Sequence, residues 1–140
     1  MPAFHLLFSA FAVLSAVAFV FVLRWERRYF LQRGKHEAWL PVRLATIPIA
    51  AATAVGVIVP TRETSGMEGL AVFYILLFTL APLFWFGAHW AVGKLARPSL
   101  AFGESAQIAA SPILFCLALS VVAHTLQPIA WSVLRAAGAT

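Results

Sequence analysis

Charge is missing from four long stretches of this chain: residues 1–23, 44–61, 69–93 and 105–134 contain no Lys, Arg, Asp or Glu. At about 1.5 Å of rise per helical residue, such stretches match the roughly 30 Å hydrocarbon core of a bilayer. A segment in hydrocarbon must satisfy its own backbone hydrogen bonds, and an α-helix does so within the segment. The predicted fold is an all-α integral membrane protein, a four-transmembrane-helix bundle with spans at about 4–24, 44–60, 69–92 and 106–131.

Composition agrees, because 62% of the residues are hydrophobic and only 11% charged, against about 25% charged in a soluble domain. The charged connectors are too short to enclose a core of their own, so residues 1–140 are expected to form a single transmembrane domain. The net charge of +5 does not point to nucleic acid. The basic residues sit at the ends of apolar runs, where they orient helices and meet anionic headgroups, and no soluble module carries a basic face.

Placement of those cations sets an expected orientation. Arg24, Arg27, Arg28, Arg33, Lys35, Arg43, Lys94 and Arg97 fall on one side of a four-span arrangement, and Arg62 and Arg135 on the other. The positive-inside rule then puts the connectors 24–43 and 93–105 in the cytoplasm and both termini on the non-cytoplasmic side. The order of charge around the first span, with no Lys or Arg before it, is that of an uncleaved anchor rather than a signal peptide. High usage of Ala, Arg and Trp is in keeping with a bacterial source, hence the inner (plasma) membrane.

Local signals punctuate the spans. Helix continues past the first span to about Gln32, with Gly34 as its stop. Ala52 and Gly56 make a small-xxx-small pair for close helix packing, and the second span is expected to be the most enclosed. Ser105 is the expected cap of the fourth helix. Pro82 lies near the middle of the third span and is a candidate hinge, a packing bend being the plainer reading.

Chemistry-bearing residues are few. In the fourth span Cys116, Ser120, His124, Gln127 and Trp131 follow one another at helical steps and share a face. Ser120, His124 and Gln127 form its polar stripe. His5, Ser9, Ala12 and Ala16 form a similar face on the first span. If those faces meet, two readings apply: polar contacts between helices, or haem b held axially by His5 and His124. His89 and His36 read as interfacial residues. Glu26 and Glu37 read as partners of nearby arginines in the connector.

No carboxylate lies inside a span, and no P-loop, dinucleotide fingerprint, HExxH or GxSxG occurs. Cys116 is the only cysteine, which excludes an intrachain disulfide. No catalytic set and no metal site is predicted. The expected function is a non-catalytic small subunit, anchor or assembly factor of a larger membrane complex, with lipid and other membrane subunits or further copies as partners. The alternatives are a homo-oligomeric small transporter or channel and a haem b-binding electron-transfer subunit.

Overall fold

The computed structural model describes the backbone of residues 2–136 and the side chains of residues 8–136 other than Leu134. The chain is helical almost throughout: α1 (Pro2–Gln32), α2 (His36–Arg62), α3 (Gly66–Ile75), a π-helical turn (Leu76–Leu80), α4 (Ala81–Ala96) and α5 (Phe102–Ala136). Four stretches are long and apolar enough to cross a membrane, namely Phe8–Gln32, His36–Arg62, Gly66–Ala96 and Phe102–Val133. The protein is an integral membrane protein built of apolar helices.

The end of α1 is a glycine-terminated motif. Gly34 has φ +65°, and the amides of Gly34 and Lys35 donate to the carbonyls of Leu31 and Phe30 at 3.1 and 2.9 Å. That double bond pattern closes a helix whose next residue turns left-handed. The cap of α5 differs from the one expected. The helix starts three residues before Ser105, and Glu104 Oε2 accepts the amide of Ala101 at 3.1 Å. Glu104 occupies the third helical position and reaches back to the capping residue's N–H, half of a capping box. Ser105 is buried and bonds the carbonyl of Phe102.

Two compact units emerge, one of Met1–Arg28 with Ser111–Thr140 and the other of Tyr29–Ala110. In the second, α2 packs chiefly along α4, and α2 is the most enclosed of the crossing helices. The close approach does not use the Ala52–Gly56 pair, because a Cβ on Gly56 would meet nothing within 4 Å. The tightest glycine contact is at Gly93, where a Cβ would lie 2.5 Å from Cδ2 of Leu100 in the connector after α4, with Val42 Cγ2 of α2 in ordinary contact at 3.5 Å. Phe30, Trp39, Val42 and Ile108 form the core there, with Tyr29 and Val92 against it. These residues flank the connectors around 33–35 and 97–101. Mid-span side chains such as Ile47, Val55, Ile75 and Leu83 are exposed. The pattern follows from the solvent: in lipid no hydrophobic force gathers apolar side chains, so packing concentrates where the chain leaves the oil.

In the first unit α1 meets α5 through Phe19 and Phe115, whose rings lie 5.1 Å apart. Further along, Ser111 Oγ donates to Glu26 Oε1 at 3.0 Å. Glu26 stands on the helical continuation expected through Gln32, and it is buried.

Candidate functional site

Along α5 the polar face exists as spaced. Cys116, Ser120, His124, Gln127 and Trp131 lie on uninterrupted helix and all are exposed. Ser120 turns its hydroxyl back onto the Cys116 carbonyl at 2.9 Å, which satisfies it locally. His124 and Gln127 make no hydrogen bond among the described residues. Pro128 adds to this demand, because it lacks the N–H that would serve the His124 carbonyl four residues earlier. His124, Gln127, Pro128, Trp131 and Arg135 border a groove of about 500 Å³. His124 stands about 16 Å of helix from Arg135, the nearest charge along α5, so the groove runs from the charged end of α5 toward the middle of its apolar run. The side chain of His5 lies outside the described residues. Ser9, Ala12 and Ala16 on the same α1 face are exposed.

A second polar cluster went unrecognised in the sequence. His89 is fully buried, not an interfacial side chain. Its Nδ1 lies 2.7 Å from the Trp85 carbonyl and its Nε2 3.1 Å from Thr46 Oγ1. A carbonyl only accepts, so Nδ1 carries the proton and Nε2 faces the threonine hydroxyl. That hydroxyl also lies 3.2 Å from the Val42 carbonyl. Its single hydrogen serves Nε2 when the imidazole is neutral. With both nitrogens engaged, His89 joins α2 to α4 and presents no free ligand atom.

Beside it, two side chains close a gap in α5. Pro112 has no N–H for the carbonyl of Ile108, four residues back. Arg43 Nη2 donates to that carbonyl at 3.0 Å, and Trp85 Nε1 donates to the next one, Ala109, at 2.8 Å. One signal for this was present in the sequence: a proline inside an apolar span calls for a donor from elsewhere.

Pro82 sits two residues beyond the end of the π-helical turn. The amide of Ala81 bonds the carbonyl of Leu76, five residues back, and this wider register takes up the irregularity at the proline. Across from the turn, Ala52, Gly56 and Val57 of α2 and Leu76, Leu80 and Phe84 border an apolar cleft of about 260 Å³. The open side of the small-residue pair faces this cleft. Among the described residues no group of three or more His, Cys, Asp or Glu is placed to hold a metal ion.

Comparison with protein-family models, with curated proteins and with solved structures finds no match to this chain.

Proposed function

We propose that this protein is a non-catalytic subunit, anchor or assembly factor of a larger membrane complex, and that it contacts its partner through the outward polar face of α5. The observation that carries this reading is the exposure of His124 and Gln127 beside a carbonyl that Pro128 leaves without its helical donor. Exposed to hydrocarbon, an imidazole and a carboxamide remain unsatisfied, so such groups face protein or water in membrane proteins. Each interhelical hydrogen bond contributes only about 0.6 kcal/mol. The polar groups therefore set register and partner choice, and packing in the groove supplies the remaining affinity. The membrane is the bacterial inner membrane, with both termini non-cytoplasmic and the arginine-rich connectors in the cytoplasm.

The test is affinity purification of the tagged full chain from mild detergent, followed by mass spectrometry. The reading requires stoichiometric membrane partners that His124→Leu with Gln127→Leu releases. A monomer without partners, or partners held equally by the double variant, overturns it. Orientation is read separately, from impermeant labelling of Glu63→Cys against Ser99→Cys in a Cys116→Ser background. Labelling of the second site from outside reverses the assignment.

A homo-oligomeric transporter or channel is the second reading, supported by the π-helical turn beside Pro82 at a mid-span cleft. Such turns recur at functional sites. Substrate flux in proteoliposomes that Pro82→Ala slows would move the assignment to this class.

A further inference from the structure

We infer that the face of α1 carrying Leu14, Val17, Phe21, Arg24 and Arg28 binds an anionic phospholipid, with the phosphodiester headgroup between Arg24 and Arg28 and an acyl chain along the apolar residues. The spacing places these side chains on one face, at steps of three and four residues. All five are exposed, Phe21 to 64%, and no part of the most apolar window of α1 is buried. Lipid is thus the medium against this face.

Charge identifies which lipid. Arg24 and Arg28 are one turn apart, about 5–6 Å between Cβ atoms, and like charges at that spacing destabilise a helix. Neither makes an ion pair or hydrogen bond among the described residues. Glu26, the acidic residue between them, is 1% exposed and turned to Ser111 Oγ at 3.0 Å, on another side of the helix. Five other cations are employed internally. Lys35 pairs with Glu104, Arg43 holds the Ile108 carbonyl, Arg97 bonds Gly34 and Ser99, Lys94 bonds Pro98, and Arg33 covers the Tyr29 ring.

The α1 pair thus meets the membrane surface uncompensated, directly after an uncharged run ends at residue 23. A phosphodiester anion between the two guanidinium groups converts their repulsion into two charge-assisted contacts. Trp25, 60% exposed beside them, stands at the level where indole rings prefer the headgroup layer.

The experiment equilibrates the full chain with phosphatidylcholine vesicles containing a minority of phosphatidylglycerol, extracts it gently and counts retained lipids by native mass spectrometry. Wild-type protein is expected to enrich phosphatidylglycerol, and Arg24→Gln with Arg28→Gln to lower that enrichment by about fivefold per arginine. Arg24→Lys with Arg28→Lys keeps most of it, and Arg62→Gln leaves it unchanged. Equal retention of the two lipids by wild type overturns the inference, and that arm requires no variant. Enrichment unaltered in the double Gln variant overturns it too, as does displacement of the lipid by inorganic phosphate. Efficient crosslinking of Val17→Cys between copies, in a Cys116→Ser background, assigns the face to a second chain instead.

Discussion

Arg43 donates to the carbonyl of Ile108 at 3.0 Å, and Ile108 is the residue whose carbonyl Pro112 deprives of its helical donor. Proline and arginine act here as one structural device: the first opens the backbone of α5, and the second, from α2, fills the opening. A hydrogen bond from a charged donor contributes about 1.5–3 kcal/mol. Arg43→Gln is expected to lower unfolding stability by about that amount. Pro112→Ala restores the amide, so the same Arg43→Gln change made in that background should cost less. The check is a double-mutant cycle on thermal unfolding in a single detergent. Additive effects would separate the two residues.

The buried imidazole gives a second prediction. Thr46→Val keeps the volume near His89 but removes the group facing Nε2 at 3.1 Å. A buried nitrogen left without a partner costs about 1–3 kcal/mol. Thr46→Ser retains the hydroxyl and is expected to behave close to wild type. Unfolding curves of the two variants, compared at one pH, decide the matter; a loss in Thr46→Ser as large as that in Thr46→Val would show that retaining the hydroxyl is not what preserves stability.

The difference between what was legible and what was not has a physical source. Four helices of crossing length followed from absent charge alone, because hydrocarbon permits few other backbones. The end of α1 at Gly34 was legible because a left-handed residue at that position favours glycine. The core was not. Where both sides of a helix are apolar, periodicity no longer separates inside from outside, so Phe30 and Ile108 read like lipid-facing Phe78 and Ile113. The same loss of contrast misplaced the tight contact at Ala52 and Gly56, whereas the tightest glycine fit is at Gly93, against the side chain of Leu100. His89 read as interfacial since sequence spacing does not reveal a partner on another helix, here Thr46. The stripe Ser120, His124 and Gln127 was readable as a single helical face, but its outward direction was not.

Gly93 tests how tightly α4 packs against the connector that follows it. A Cβ there would stand 2.5 Å from Leu100 Cδ2, and Leu100 is fully buried. Gly93→Ala is expected to destabilise by about 1–3 kcal/mol through overpacking. Leu100→Ala alone leaves a cavity and costs about 2–5 kcal/mol. Combined, the added methyl occupies part of the vacated space, so the double variant should be more stable than the sum of the single losses predicts. Gly56→Ala, at a position open to the cleft, should cost little. Loss at Gly56 comparable to that at Gly93 would show that the tight contact lies elsewhere.

Glu104 separates a cap from a charge. One carboxylate oxygen accepts the Ala101 amide at 3.1 Å and the other meets the Lys35 ammonium. Glu104→Gln keeps an acceptor for the amide while removing the negative charge. Its loss should stay near the 0–1 kcal/mol of a partly exposed ion pair. Glu104→Ala removes both contacts, and the forfeited cap adds about 0.5–2 kcal/mol. Lys35→Met removes the ion pair alone and should match Glu104→Gln. Ordering the three variants by unfolding midpoint gives the result: if Glu104→Ala lies with the other two, the backbone cap contributes nothing to α5, and its start at Phe102 is held by the buried Ser105 and Ile108 instead.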